Sequence, residues 1–121
     1  MDRPLQISYK DTTSSEFLER QIRERVAHLE KLHPHIIGCR VVVEVPHRSA
    51  AEKTGKPPIA VSVEIDIPGH PMIVARDERD RHEMKNDQYA VVTHAFRAAE
   101  RQLKTLGEVR TAERRRAAPE V

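Results

Sequence analysis

The segment from residue 59 to residue 67 constrains the fold more than any other part of the chain. Isoleucine or valine occupies every odd-numbered position in it, whereas Ala60, Ser62, Glu64 and Asp66 occupy the even-numbered positions. A period of two is typical of a β-strand with one buried and one solvated face. The chain therefore needs a sheet, and the apolar face of that sheet needs other elements to cover it.

Three further segments are predicted to be strands. Residues 5–10 alternate in the same way, and residues 39–45 place Cys39 and three valines on one face. A weaker strand is predicted over residues 72–76, after a Pro-Gly turn. Two segments lack an apolar period and are predicted to be loops, residues 47–58 and 77–86.

The first helix is predicted over residues 14–32, where apolar residues recur with the period of about 3.6 residues that an amphipathic helix requires. Thr13 and Glu16 form a capping-box pattern at its start, and Pro34 cannot continue it. Its predicted core positions are Leu18, Ile22, Val26, Leu29 and Leu32.

The second helix is predicted to begin at a cap supplied by Asn86 or Asp87 and to end at Gly107. Its predicted core positions are Tyr89, Val92, Phe96, Ala99, Leu103 and Leu106. The chain is therefore expected to form one domain, residues 1–107, followed by a flexible charged tail, residues 108–121.

The predicted order of elements is β-α-β-β-β-α. The first two strands, joined by a helix, are expected to be parallel, and the next two strands to continue as an antiparallel meander. The resulting fold is α+β, with a four-stranded mixed sheet and two helices packed on one face. Double-stranded-RNA-binding domains have a similar architecture.

Composition limits the location and the partners of the protein. The net charge of +2 is too small to make the whole surface a nucleic-acid clamp, so the positions of the basic residues matter more than their number. The amino-terminal residues MDRPLQISYK lack the apolar run of a signal peptide, and no segment approaches the roughly 18 apolar residues of a membrane span. A single cysteine allows no internal disulfide. We therefore expect a cytoplasmic protein with no membrane partner.

Two histidines and the cysteine lie close together in the chain. His33 and His35 flank a proline at a helix end, whereas Cys39 begins a buried strand face, so their side chains are not expected to converge on one metal ion. No zinc-binding, nucleophile-elbow or phosphate-cradling motif is present in the sequence. We therefore predict that the protein is not an enzyme and uses no metal, cofactor or small-molecule substrate.

Basic residues cluster on one flank of each predicted helix. At about 100° per residue these positions lie together beside the apolar stripes, so we expect them to bind nucleic-acid phosphates. They are Arg25 and His28 on the first helix, with Lys31 farther round, and Arg97, Arg101 and Lys104 on the second. The alternative is a solvated helix surface on which pairs such as Glu16 with Arg20 and Glu19 with Arg23 neutralise the charges.

Stacking on unpaired bases is not expected, because aromatic residues are only 3% of the chain and Tyr89 and Phe96 lie on an apolar stripe. The remaining mode of nucleic-acid binding is recognition of an RNA backbone or of a folded RNA shape.

Three segments carry a family resemblance, LQISYKD, LEKLHPHIIGCRVVVEV and DQYAVVTHAFRAAERQL. Their order and spacing resemble the ribosome hibernation promoting factors, also called ribosome-associated translation inhibitors or sigma-54 modulation proteins. The resemblance spans about residues 4–106. We expect a short form of this family, because the chain lacks the carboxy-terminal dimerisation domain of its long members.

The resemblance implies a domain that binds the small ribosomal subunit and its rRNA in the channel used by mRNA and tRNA. Such a domain inhibits translation during hibernation or stress. The family's basic positions map onto Arg25, His28 and Arg101, with Lys104 nearby. His28 stands where the family often has lysine. A monomeric or weakly dimeric protein is expected.

Two alternatives stay open. The first is a general structured-RNA-binding domain, which the same architecture and basic helices would support without ribosomes. The second is a protein-interaction module that uses the open face of the sheet. That face is predicted to carry Arg40, Val42, Glu44, Ser62, Glu64 and Asp66.

The interpretation of His33, His35 and Cys39 as structural residues makes a prediction. The purified protein should contain no stoichiometric zinc, and a chelator should not change its stability, because no metal contributes to folding. Elemental analysis and thermal unfolding with and without chelator measure both. One zinc per chain would contradict the interpretation.

Overall fold

The computed structural model describes the backbone of residues 1–46, 58–79 and 84–117, and the side chains of residues 1–46, 58–79 and 88–108. Its elements follow the predicted order. They are β1 (Gln6–Lys10), α1 (Glu16–Leu32), β2 (Gly38–Glu44), β3 (Ile59–Asp66), β4 (Ile73–Arg79) and α2 (Met84–Ala117). Apart from Pro58, the predicted loop 47–58 lies outside the described residues.

The four strands form one sheet in the order β1-β2-β3-β4. β1 and β2 are parallel, whereas β3 pairs antiparallel with both β2 and β4. The register aligns Ile7, Val41, Val63 and Ala75 in one row across all four strands. The predicted mixed sheet is therefore confirmed.

Both helices cover the sheet face that contains this row. α1 buries Leu18, Ile22, Val26 and Leu29 against it. α2 contributes Val91, Val92, Ala95, Phe96, Ala99 and Leu103 to the same core. Phe96 is 0% exposed and is the largest of the fully buried side chains. The α+β fold with both helices on one face is confirmed, and no helix or strand of the described residues covers the opposite sheet face.

A hydrogen bond also attaches α2 to the edge of the sheet. β4 is an edge strand, and the side-chain amide of Gln102 donates from Nε2 to the carbonyl oxygen of Val74 at 3.0 Å. This bond fixes the position of α2 along β4.

Ser15, and not Thr13, caps α1. Its hydroxyl accepts a hydrogen bond from the N–H of Leu18 at 3.3 Å, and the helix begins at Glu16. The hydroxyl of Tyr9 donates to the carbonyl oxygen of Ser15 at 3.3 Å and holds the cap against β1. The predicted capping box was wrong because four consecutive residues carry hydroxyls, and a contact from β1 selects among them.

The predicted loop 77–86 was largely wrong. β4 continues to Arg79, which lies opposite Ile59 of β3, and α2 already begins at Met84, before the predicted caps Asn86 and Asp87. A charged composition does not prevent strand pairing at the edge of a sheet, because edge side chains stay in contact with water. Residues 80–83 lie outside the described residues.

Gly107 does not end α2, which continues to Ala117. Glycine in a helix interior costs about 1 kcal/mol relative to alanine, and this does not forbid the helix. The residues that follow, including Ala112 and residues 114–116, favour helix. In the sequence, Pro119 is the stronger stop signal, because proline disfavours helical geometry in the residue before it.

Two predicted core positions are exposed. Leu32 is 55% exposed and Tyr89 is 48% exposed, whereas Leu106 packs partly buried against the core. Leu32 is the last residue of α1 and Tyr89 lies near the start of α2. The apolar period therefore continues beyond the part of each helix that the sheet covers.

The part of α2 beyond Leu106 leads to a prediction about stability. Deleting residues 108–121 should leave the melting temperature nearly unchanged, because no core residue of the described chain lies after Leu106. Thermal unfolding followed by circular dichroism measures this, and the same spectra should show a lower helical signal. Loss of cooperative unfolding would show that the deleted residues pack on the domain.

Candidate nucleic-acid interface

Arg25 joins the two helices. Its guanidinium Nη2 donates to Oγ1 of Thr93 at 3.1 Å, and Thr93 is only 6% exposed. Arg25 is itself half-buried, so its side chain helps to hold α1 against α2. Thr93 lies one turn before Arg97, so the bond brings Arg25 of α1 near the start of the basic row of α2. Binding of phosphate by Arg25 stays a prediction.

The outward surface of α2 carries cations that have no acidic partner among the described residues. Arg97, Arg101 and Lys104 are exposed, and none of them makes an ion pair or hydrogen bond with a described residue. Their acidic neighbour Glu100 does not neutralise them through a contact, since its Oε1 is buried and has no hydrogen-bond partner among the described residues. The three charges are therefore available to an external anion.

The outward surface of α1 is basic but less uniform. His28 and Lys31 are exposed and make no ion pair within the described chain, whereas the exposed Glu24 lies between them and the start of the helix. We call His28, Lys31, Arg97, Arg101 and Lys104 the basic helix surface.

Only one of the two predicted intrahelical pairs forms. Arg23 donates to Glu19 at 2.9 Å, as predicted, but Arg20 makes no ion pair with Glu16. The solvated-surface alternative therefore accounts for Arg23 and does not account for the basic helix surface.

The open face of the sheet carries charges that are already paired. Lys10 and Arg76 both contact Glu44, at 3.4 and 3.3 Å. Two further pairs lie on this side, Arg40 with Glu64 and Arg3 with Asp66. Exposed pairs add little stability, about 0–1 kcal/mol each. They nevertheless leave this face nearly neutral, in contrast to the basic helix surface.

The described residues contain no metal cluster. No group of three or more His, Cys, Asp or Glu side chains within residues 1–46, 58–79 and 88–108 is arranged to hold an ion. Cys39 is buried, whereas His35 is exposed. Among the described helices, none combines the length and the hydrophobicity needed to cross a membrane.

Tyr89 is an exposed aromatic residue whose exposure the sequence pattern did not predict. It was assigned to the apolar stripe, yet nearly half of its side chain is exposed, one turn before Thr93. Its ring is therefore accessible beside the contact between the helices. Its place near the start of α2 was the only sequence signal for this exposure.

Solved structures share this arrangement of sheet and helices. A ribosomal subunit interface protein from Coxiella burnetii matches with a TM-score of 0.66 and 16% identity, over 86% of this chain and 97% of that one. The N-terminal domain of Protein Y from Thermus thermophilus matches with a TM-score of 0.62 and 15% identity, over 88% and 99% of the two chains. At these identities the structures show a common fold. A comparison with curated protein sequences found no match.

The family follows from the sequence itself. The family model described as "Sigma 54 modulation protein / S30EA ribosomal protein" matches residues 5–110. This chain belongs to that family of ribosome-associated proteins, and the predicted resemblance is confirmed.

Cys39 provides a test of the packing between the sheet and α1. Burial raises the pKa of its thiol to about 12, with smaller contributions from the carboxylates of Glu30 and Glu64. The thiol therefore stays protonated and unreactive in the folded protein at neutral pH.

We predict that Cys39 lowers stability at alkaline pH. The unfolded thiol ionises near its ordinary pKa of about 9 while the folded thiol does not, so the free energy of unfolding should fall between pH 9 and 12. The fall should approach about 1.4 kcal/mol per pH unit. Urea unfolding at pH 8 and pH 10 measures it as the difference between the wild type and Cys39→Ala. Equal pH dependence in the two proteins would show that the thiol is not shielded.

Proposed function

We propose that this protein binds the small ribosomal subunit through contacts between its basic helix surface and rRNA phosphates. Bound there, it blocks the channel used by mRNA and tRNA and inhibits translation in hibernation or stress. Membership of a ribosome-associated family supports the proposal, as does the fold shared with a protein named for the ribosomal subunit interface. The proposal places the protein in the cytoplasm, where its partner is found.

The observation that carries the proposal is the separation of paired from unpaired cations. Arg3, Lys10, Arg40 and Arg76 on the sheet side all contact carboxylates. The cations of the basic helix surface contact none among the described residues. A paired cation must lose its carboxylate before it can bind a phosphate, whereas an unpaired one loses only water and counterions. RNA is therefore expected to bind the helices and not the sheet.

The geometry favours recognition of the RNA backbone. The two helices are packed on one core and joined by Arg25 and Thr93, so their cations are held in a fixed arrangement. Arginine and lysine on a rigid helix surface can match the spacing of phosphates without reading bases. A rigid domain of 13.9 kDa then excludes other occupants of a channel by its volume alone, with no chemical step.

The same surface would also suit a general structured-RNA-binding domain, so a competition experiment is needed. If the ribosome is the specific partner, an excess of an unrelated structured RNA should displace little protein from small subunits. Equal displacement by that RNA and by unlabelled subunits would favour the general binder. Binding needs no second copy of the chain, because one chain carries the whole surface.

The proposal predicts the effect of removing three unpaired cations. Replacing Arg97, Arg101 and Lys104 by alanine should weaken binding to purified small subunits and flatten the plot of log affinity against log salt by about two units, because each phosphate contact releases counterions. The fold should survive, since all three side chains are exposed. Affinity measured between 50 and 200 mM salt, about the range over which such contacts weaken, tests the prediction.

The matched control removes the same number of charges from paired positions. Arg23→Ala, Arg40→Ala and Arg76→Ala together lower the net charge by three, but each of these arginines contacts a carboxylate. This control should retain most of the affinity and the salt slope. Equal losses in both triple variants would mean that net charge alone drives binding, and no loss in the first would place the interface elsewhere.

A further inference from the structure

The last part of α2 continues beyond the last described core residue. The helix runs over 34 residues to Ala117, and among the side chains that the structure describes its last buried residue is Leu103 and its last partly buried core contact is Leu106. The family match ends at residue 110. The backbone after Gly107 is therefore a helix that the described core does not explain and that the family pattern covers only at its start.

Basic residues dominate this extension. Residues 107–117 contain four arginines and two glutamates. The arginines are Arg110, Arg114, Arg115 and Arg116. Eighteen residues make about five turns, so Arg115 is placed on the same side of α2 as Arg97, about 27 Å farther along the axis. Two acidic residues, Glu100 and Glu108, lie on this side between them.

We infer that the part of α2 from Gly107 to Ala117 is a helical arm that binds a second segment of RNA phosphates beyond the basic helix surface. This inference rests on the proposed function, because position 115 continues the same phosphate-binding row. The expected ligand is a sugar-phosphate backbone, since the arm carries arginines and no aromatic residue to stack on a base.

The inference depends on the helical state of the arm. A free helix of this length is marginal in water, because nucleation is unfavourable. Here the folded domain supplies the nucleus, and the arm forms by adding turns to an existing helix. Arginines held on a helix lose less freedom on binding than those of a flexible tail, so their contribution to affinity should depend on the continuity of the helix.

Two variants separate the charge of the arm from its helix. Arg114→Ala with Arg115→Ala and Arg116→Ala removes three charges and retains a helix-forming sequence. Ala112→Pro keeps every arginine but interrupts the helix between Arg110 and Arg114, because proline clashes with the carbonyl four residues earlier. Residue 112 lies beyond Leu106, the last core contact among the described side chains, so both variants should keep the wild-type melting temperature.

The experiment measures affinity for purified small subunits at several salt concentrations. The triple arginine variant should bind roughly tenfold or more weakly and flatten the salt slope by about two units. Ala112→Pro should lose most of the same affinity. The control triple Arg23→Ala, Arg40→Ala and Arg76→Ala should remain close to the wild type.

Each other outcome has a definite meaning. Wild-type affinity in the arginine variant, with weak binding by the Arg97, Arg101 and Lys104 variant, would overturn the arm and leave the proposed function standing. Wild-type affinity in Ala112→Pro with a loss in the arginine variant would overturn the helical arm in favour of a flexible basic tail. No binding of the wild-type protein to small subunits would overturn both proposals.

Discussion

Burial of one sheet face beneath two helices is the interaction on which the rest of the structure depends. The row formed by Ile7, Val41, Val63 and Ala75 gives both helices a common apolar surface, and Phe96 fills the space above it. Each helix must then direct its polar side outward. Cations that have no place in the core, such as Arg97, consequently share a surface that the same packing holds rigid.

The charges of the sheet are arranged differently from those of the helices. No described element covers its second face, and the charges there pair with one another across strands, as Arg40 does with Glu64. One side of the domain is thereby neutralised and the other is not. If the partner is RNA, as proposed, a field of this kind would orient the molecule as it approaches, and it would raise the rate of productive encounter more than a net charge of +2 indicates.

Much of the fold could be predicted from the sequence, because the buried residues of a two-layer domain recur with the period of a strand or of a helix. Val61 and Val63 recur every second residue, and Ile22 and Val26 recur at helical spacing. The ends of the elements could not be predicted so well. Ser15 and Thr13 offer similar local caps, and the choice between them depends on Tyr9 in another element.

The exposure of the candidate residues on α2 was predictable, whereas the contacts of the candidate site were less so. Exposure of Arg97, Arg101 and Lys104 follows from their angle to the apolar stripe. The bond of Arg25 to Thr93 joins positions 68 residues apart, and no local pattern contains it. Helix continuation through Gly107 was missed because a cost of about 1 kcal/mol is small beside the preference of the following residues for helix.

The bond from Gln102 to Val74 has a consequence for the behaviour of many copies of this protein together. An edge strand with free carbonyl groups is a template on which another chain can add a strand, and such pairing leads to aggregates. Gln102 occupies one of these carbonyl groups on β4, and the charged side chains of Arg76 and Arg79 follow on the same strand. The same helix that presents cations outward thus also covers one hydrogen-bonding position of this edge, which disfavours the addition of a strand from another copy of the chain.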